Sequence, residues 1–163
     1  MREFKESVGV EICQHPEYMI LITGDFNRRV GELGQLETEI SIGRYLSHGR
    51  KSKDITTNDR GEDLLTFMEA QGMILVNGRR LSDSEGNFTF ISKSITAEGK
   101  KCGSVIDLMS VDMSHADKII DLEVKLQPGS DHFPVVTKIV YQSAYIEEAQ
   151  RWQYKLKEDT EEV

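Results

Sequence analysis

The sequence predicts an α+β fold in which helices flank a mixed or antiparallel sheet and the elements form layers. Strand-length apolar runs recur along the chain, and stripes of apolar residues at helical spacing lie before and between them. The length of 163 residues suits one domain with its own core, and a hydrophobic fraction of 38% is typical of a folded chain. We assign residues 1–142 to this domain and residues 143–163 to an acidic, helical tail.

The chain begins with a predicted helix and a predicted buried strand. Phe4, Val8 and Ile12 recur at the spacing of one helical face, and Pro16 marks the end of that segment. The run 19–23 is apolar without alternation, so it predicts a strand buried on both faces.

A long polar segment with four glycines separates this strand from the next predicted helix. Residues 28–59 form the segment, and a short helix is predicted within it at 36–45. Asn58 is a suitable N-cap residue, and the apolar residues after it predict a helix that ends at Gly72. The run 73–76 predicts a second short buried strand.

The second half of the chain is predicted to be rich in strands. Aromatic and polar residues alternate over 87–92, and apolar and charged residues alternate over 119–126. Residues 104–111 are apolar apart from one central acid and two serines. A last strand is predicted at 133–140, with Pro134 at its start or at a sheet edge.

Two polar side chains follow the first predicted strand. Gly24 interrupts the apolar run, and Asp25 and Asn27 come directly after it. Because residues two apart on extended backbone point the same way, the carboxylate and the carboxamide are predicted to lie side by side at the rim of the sheet. A plain polar turn is the alternative interpretation, since Gly, Asp and Asn all favour turns.

Two further acids and a histidine complete a candidate constellation. Asp107 lies inside an apolar strand, where an unpaired carboxylate is costly to bury, and Asp131 and His132 follow a Pro-Gly turn. Taken singly, each residue has an ordinary structural interpretation. Taken together, they suit metal-assisted phosphodiester cleavage: one acid orients an imidazole, another holds a metal or a water, and an amide donates to the oxyanion.

Charge is distributed unevenly along an acidic chain. The formal net charge of −8 argues against tight binding of nucleic acid by the whole surface. The segment 44–53 is nevertheless basic and includes Arg50 and Lys51. It is predicted to be an ordinary solvated loop or, if it borders a site, to guide a polyanion.

Signals for membranes and secretion are weak in this sequence. The apolar runs are of strand length, too short to span a membrane, and the first residues contain no apolar signal core. Two cysteines without CxxC spacing fit a reducing compartment. We therefore predict a nuclear or cytoplasmic protein that is not secreted and has no membrane partner.

Three motifs resemble those of the endonuclease/exonuclease/phosphatase superfamily, which has the DNase-I-like fold. Residues 24–27 (Gly-Asp-Phe-Asn) resemble its GDxN motif, residues 105–108 (Val-Ile-Asp-Leu) its ID motif, and residues 130–132 (Ser-Asp-His) its SDH motif. The order agrees with the family, as does the aromatic-Thr strand at 88–90. The stretch 58–78 resembles apurinic-type endonucleases of non-LTR retrotransposons and the craniofacial-development-protein-like sequences derived from them.

The resemblance implies a partial DNase-I-like layered sandwich and hydrolysis of nucleic acid, with DNA as the partner. Asp25 would position or deprotonate the attacking water, and Asn27 would bind the scissile phosphate. Asp107 would orient His132, which would act as a base or as a phosphate contact.

The resemblance also implies a cation and a substrate contact. Asp131, together with Asp25, would bind Mg²⁺ or Mn²⁺. Asn58 would contact the phosphate backbone. The basic segment itself, independently of the resemblance, predicts Arg50 and Lys51 as substrate contacts.

The resemblance covers about residues 4–140, the C-terminal part of such a domain. The family's N-terminal half supplies an Asn, a metal-binding Glu and usually a Tyr. We therefore expect the chain by itself to be impaired as an enzyme and to self-associate through sheet strands without neighbours. An inactive remnant that serves as an interaction module, and a phosphatase of the same superfamily, are the two alternatives.

Overall fold

The computed structural model describes residues 2–15, 17–95, 99 and 101–140. The predicted tail at 143–163 lies outside the described residues. Two α-helices, seven β-strands and two short 3-10 helices occur in the described part, in this order: α1 Arg2–Gln14, β1 Leu21–Asp25, α2 Asp59–Ala70, β2 Met73–Leu75, a 3-10 turn Leu81–Asp83, β3 Phe90–Ile95, β4 Lys101–Ser104, β5 Asp107–Asp112, a 3-10 turn Met113–Lys118, β6 Ile119–Val124 and β7 Val135–Ile139.

A three-stranded antiparallel sheet in the order β1-β5-β2 forms the centre of the fold. The register pairs Asp25 at the end of β1 with Asp107 at the start of β5. On the other side of β5, Leu75 at the end of β2 pairs with Ser110. One end of this sheet therefore carries the end of β1, the start of β5 and the residues that follow β2.

Side chains of this sheet enter two apolar clusters, one on each face. Alternating residues of β2 separate in this way, with Met73 and Leu75 in one cluster and Ile74 in the other. The first cluster contains residues of α2 and is flanked by Phe4 and Ile12 of α1. The second combines β6 with the long polar segment: Ile42, Leu46, Ile119 and Leu122. The sheet is thus covered by helices on one face and by a loop and a strand pair on the other.

Two antiparallel strand pairs complete the described fold. β3 pairs with β4, and β6 pairs with β7. Pro134 directly precedes β7, as predicted, and its carbonyl accepts a hydrogen bond from the Lys125 N–H. The predicted strands at 104–111, 119–126 and 133–140 are therefore present, whereas β4 was not predicted.

The prediction that the first strand is buried on both faces is wrong. In the described part of the chain β1 pairs on one side only, and four of its five residues are exposed. Ile22 packs against the cluster on the helical face, whereas Leu21 is 39% exposed to solvent. An apolar run without alternation indicates a strand, but the run alone does not say what lies on each face.

The predicted short helix at 36–45 is also absent, and turns and bends occupy these residues. Arginine side chains donate to main-chain carbonyls in and around this segment, and Arg80 takes that of Tyr45. Arg79 donates to the carbonyls of Ser47 and His48 and also to that of Gly34. Backbone groups that are satisfied by side chains can stay irregular inside a folded domain.

Helix α2 begins as the sequence predicts. Asn58 has an extended backbone, and its Oδ1 accepts the Gly61 N–H at 2.8 Å, which is an N-cap. Gly72 follows the helix with a φ of 68°, a value that glycine adopts without strain. No helix among the described residues is both long enough and apolar enough to cross a membrane.

Candidate active site

Asp25 and Asn27 form a tight polar turn at the end of β1. The Asn27 N–H donates to Asp25 Oδ1 at 2.8 Å, and the φ of Asn27 is +49°. Asn tolerates this left-handed conformation better than most residues. The two residues are therefore close, as predicted, but through a turn in which a side chain accepts from the backbone, not through an extended strand.

Asp107 and His132 form a direct pair at the same rim. The imidazole Nδ1 lies 3.1 Å from both carboxylate oxygens of Asp107. Nδ1 donates to the carboxylate in this arrangement, which leaves Nε2 with no hydrogen-bond partner among the described residues and able to exchange a proton. The His132 side chain is 40% exposed and the Asp107 side chain 18% exposed, so the pair is open to solvent on the histidine side.

Two residues from β3 and the segment before it hold this pair in place. Thr89 is fully buried, and its Oγ1 accepts hydrogen bonds from the N–H groups of Ile106 and Asp107, each at 3.0 Å. The Thr89 carbonyl accepts from the N–H of Phe133, next to His132, at 2.7 Å. The Phe90 ring lies 4.8 Å from the His132 ring, centroid to centroid. Thr89 thus binds the backbone of Asp107 through its hydroxyl and the backbone next to His132 through its carbonyl.

Asn77 anchors the start of β5 from the opposite side. Its Oδ1 accepts the Met109 N–H at 2.8 Å, and its Nδ2 donates to the Asp107 carbonyl at 3.2 Å. The side chain is 1% exposed. Sequence reasoning gave neither Asn77 nor Thr89 a role, although a polar residue next to a predicted buried strand is a signal that could have identified Asn77.

An ion pair with a buried carboxylate connects the residues after Asn27 with the start of the second motif, at 105. Arg29 donates to both carboxylate oxygens of Asp54, at 2.9 and 2.5 Å. Asp54 also accepts the N–H groups of Val105 and Thr56. Burial alone would raise the pKa of the Asp54 carboxyl, but the Arg29 guanidinium and these N–H groups hold it below its ordinary value. Asp54 therefore joins the two sides of the rim through charge-assisted bonds.

Three side chains at the rim are close enough to share a cation. Ligand atoms of Asp25, Asp107 and His132 all lie within 4.8 Å of one another. Two carboxylates suit Mg²⁺, and the added imidazole also suits Mn²⁺, so the donor set fits a divalent ion.

Asp131, a predicted metal ligand, lies outside this group of three. Its carboxylate pairs with Lys93 Nζ at 3.3 Å. The backbone N–H of Asp131 itself and the nearby Lys93 hold the pKa of this carboxyl below its ordinary value. Asp25 is thus the predicted metal ligand that the fold brings to the Asp107–His132 pair.

The three predicted substrate contacts lie in different environments: one caps a helix, one is exposed and one is buried. Asn58 is used as the N-cap of α2. Lys51 is exposed and pairs with Glu85 at 3.1 Å. Arg50 is 2% exposed, and its Nη1 donates to the carbonyls of Gly31 and Leu33. The expectation of a wholly solvated basic loop is therefore wrong for Arg50, whose guanidinium binds loop carbonyls.

A cavity of about 330 Å³ opens beside the catalytic candidates. It is lined by Asp107 and His132, by Thr23 and Gly24 of β1, and by the segment 133–135. The cavity places open volume next to the histidine, where a substrate group could reach Nε2.

The fold and the rim define a DNase-I-like protein, with helices and antiparallel sheets in layers and an Asp–His pair beside a second carboxylate. The sequence model of the endonuclease–reverse transcriptase family matches residues 10–136. The chain belongs to this family.

A solved structure shares the fold. The endonuclease domain of TRAS1, a telomere-specific non-LTR retrotransposon, matches with a TM-score of 0.60 and 19% sequence identity. The match covers 87% of this chain and 52% of the TRAS1 domain, so the chain spans about half the length of that structure. No curated protein is significantly similar to this chain in sequence.

Proposed function

We propose that the protein descends from, and retains the site of, a divalent-metal-dependent endonuclease that hydrolyses phosphodiester bonds of nucleic acid. One observation supports this function above the others. A hydrogen-bonded Asp107–His132 pair and the carboxylate of Asp25 lie within 4.8 Å at one end of a sheet. Such a pair and a second acid are the groups that water activation and phosphoryl contact require.

In this proposal His132 is the group that moves the proton. Asp107 holds Nδ1 as the donor and stabilises positive charge on the ring. Nε2 then accepts a proton from the attacking water, or donates to a phosphoryl oxygen. The water oxygen forms a bond to phosphorus as the bond from phosphorus to the leaving oxygen breaks, and solvent protonates that oxygen.

Asp25 and Asn27 serve the other side of the phosphate. The Asp25 carboxylate is exposed at the rim, and its Oδ1 fixes the turn. The other oxygen, Oδ2, orients the water. The Asn27 carboxamide donates to a non-bridging oxygen. A bound divalent cation supplies charge neutralisation at the phosphoryl oxygens.

Asp25 and Asp107 would hold the cation, which leaves Nε2 of His132 for proton transfer, and Asp131 would join them only after leaving Lys93. Mg²⁺ is held weakly by so few protein ligands. We therefore propose that this chain by itself is a slow enzyme. Both cysteines are free and exposed, which supports a reducing compartment such as the nucleus or the cytosol.

A plasmid-nicking assay with Mg²⁺ or Mn²⁺ tests the proposal. We expect slow, metal-dependent nicking by the full chain, and none by the double variant Asp25→Ala plus His132→Ala. A parallel assay with a phosphomonoester tests the phosphatase alternative, for which we expect no turnover.

The matched control is His15→Ala. This exposed histidine lies near Asp112, at the end of β5 opposite to Asp107. Nicking that persists in the double variant would reject the assignment of the site. An inactive full chain with either metal would reject the enzymatic function in favour of the second candidate.

The second candidate is a non-enzymatic interaction module, and the free edge of β1 favours it. In the described part of the chain this edge has no pairing strand, and exposed apolar side chains occur in β1 and in the segment that leads into it: Leu21 and Tyr18. An open edge with apolar neighbours favours pairing with another strand. Self-association of the chain through β1 is therefore part of this candidate.

A further inference from the structure

A second cavity, of about 240 Å³, lies at the same end of the sheet as the Asp107–His132 pair. It is lined by Gly49, Arg50 and Lys51 of the polar segment and by Gly78 and Arg79 after β2. The Lys51 N–H donates to the Gly78 carbonyl at 3.1 Å, which joins the two segments.

The position of this cavity follows from β2 and β5. Gly78 directly follows Asn77, whose amide donates to the Asp107 carbonyl at 3.2 Å. The cavity therefore borders the same rim as Asp107, on the β2 side of β5. The cavity beside His132 contains residues of β1 and lies on the other side.

Two buried guanidinium groups give this cavity a positive electrostatic potential. Arg50 is 2% exposed and Arg79 3% exposed. Within the described residues, neither has a carboxylate within ion-pair distance, and the nearby carboxylate of Asp83 accepts the N–H groups of Gly78 and Asn87 instead. Burial lowers the pKa of both arginines to about 10, and for Arg79 the charge of Arg50 adds to this effect.

The hydrogen bonds of the two arginines differ. Arg79 uses all three of its nitrogens on main-chain carbonyls, that of Leu75 in β2 and those of Ser47 and Gly34 in the polar segment. Arg50 uses Nη1 alone, and its Nε and Nη2 have no partner among the described residues. A buried charge with unused donors is costly, and an anion placed beside it lowers that cost.

The remaining lining groups suit an oxyanion. The hydroxyl side chains of Ser47 and Ser84 line the cavity, and Lys51 stands at its edge with an exposed ammonium group. No carboxylate residue is among the lining residues of this cavity. Positive charge and hydroxyl donors suit a phosphate group. The acid that pairs with Lys51, Glu85 at 3.1 Å, is not among the lining residues.

We propose that this cavity binds a phosphate group, and that its occupant in function is a backbone phosphate of the nucleic acid whose neighbouring phosphodiester lies at His132. The second half of the statement rests on the proposed endonuclease function. The cavity would hold the polyanion by charge, without reading its sequence, and set where along the strand the site acts.

Gly49 allows a test that leaves the buried arginines intact. A Cβ added at Gly49 would meet only Gln35 Oε1 and Ser47 Oγ, each at an ordinary distance of 3.9 Å. Gly49→Asp places a negative charge at the cavity, and Gly49→Asn is a control of nearly equal shape. Thermal unfolding of both variants checks that they fold alike.

Two measurements without metal separate binding from chemistry. The first is a titration of the full chain with inorganic phosphate, followed by the amide NMR signals of Gly49, Lys51 and Ser84. The second is fluorescence anisotropy of a short labelled DNA duplex with EDTA present. We expect Gly49→Asp to abolish the phosphate-induced shifts and to weaken duplex binding about tenfold relative to Gly49→Asn, the effect of one charge-assisted contact. We also expect it to reduce the slope of log affinity against log salt by about one.

Unmoved amide signals, or equal duplex binding by the two variants, would overturn the proposal. Phosphate-induced shifts without duplex binding would overturn the assignment to nucleic acid. If Gly49→Asp fails to fold, the pair Lys51→Gln and Glu85→Gln replaces it, with weaker and tighter duplex binding expected respectively, and equal binding by these two rejects the site. If the chain binds phosphate but never nicks DNA, the endonuclease function is rejected, while phosphate binding by this cavity still stands.

Discussion

The two carboxylates that pair across the rim, Asp25 and Asp107, are held in very different ways. On the β5 side, Thr89 and Asn77 bind the backbone around Asp107, and both are buried. On the β1 side, Asp25 lies in an exposed strand, and among the described residues its carboxylate accepts one hydrogen bond, from the N–H of Asn27. The Asp107 side of the candidate site is therefore part of the core, whereas the Asp25 side is a surface turn.

This difference has a consequence for mutations. Bonds to buried groups contribute to folding stability, so changes on the β5 side affect stability and function together. Exposed groups contribute little to stability, so changes on the β1 side affect function alone. Substitutions on the two sides should therefore separate loss of stability from loss of function.

Thr89→Val is expected to have the largest effect. The substitution keeps the shape of the side chain but removes the hydroxyl oxygen that accepts from Ile106 and Asp107. Two buried N–H groups lose their partner, and we expect a loss of about 2–4 kcal/mol in the free energy of unfolding, measured with urea.

The control for this change is Thr66→Val. Thr66 is exposed on α2, and its hydroxyl donates only to a carbonyl one turn earlier. Its loss is expected to cost no more than about 0.5 kcal/mol. Equal costs for the two valine variants would show that the β5 side is not braced by Thr89.

Asp54→Asn is expected to destabilise the chain by about 2 kcal/mol at neutral pH, because charge-assisted bonds to Arg29 and Val105 are lost or weakened. The pKa of this carboxyl is lower in the folded chain than its ordinary value of 3.8. The stability that it contributes is therefore present above 3.8 and is lost as the pH falls through the folded pKa.

Unfolding of wild type and Asp54→Asn across the acidic range checks this pH dependence. The difference between the two proteins is expected to shrink below pH 3.8. A difference that stays constant down to the acid limit would mean that packing, and not charge, accounts for the role of Asp54.

Asp25→Asn is expected to separate function from stability. The amide oxygen can still accept the Asn27 N–H, so the free energy of unfolding should change by no more than about 0.5 kcal/mol. Hydrolysis is expected to fall about a hundredfold or more, because the carboxylate that orients the water is gone. A large loss of stability would place Asp25 in the core with Asp107 and remove the contrast between the two sides.

Leu21→Lys is expected to have the smallest effect on stability and to act on association. Leu21 is already 39% exposed on the free strand, and a lysine there blunts pairing of edges. Sedimentation velocity should show less self-association than for the wild type, while urea unfolding of the dilute protein stays unchanged. Leu126→Lys, at an 82% exposed position outside the strands, is the matched control and should associate like the wild type.

Local signals in the sequence determined most of the elements and the chemistry of the rim. Helix α2 could be predicted because its N-cap residue and its left-handed glycine mark the two ends, and each acts on backbone within a few residues of itself. The contact between Asp107 and His132 could be expected because a carboxylate in an apolar strand requires a partner, and the structure has it at 3.1 Å.

Contacts between distant parts of the chain decided the rest. The segment 36–45 is not helical, and its last carbonyl, that of Tyr45, is taken by Arg80, 35 positions away along the chain. Arg50 is buried because it binds the loop at Gly31 and Leu33, and no local pattern distinguishes such an arginine from a solvated one. Composition and periodicity report on neighbours along the chain, whereas burial and ion pairing depend on neighbours in space. For that reason the sequence could name Asp25 and Asp107, but only the tertiary structure decided that one lies on the surface and the other is braced by the core.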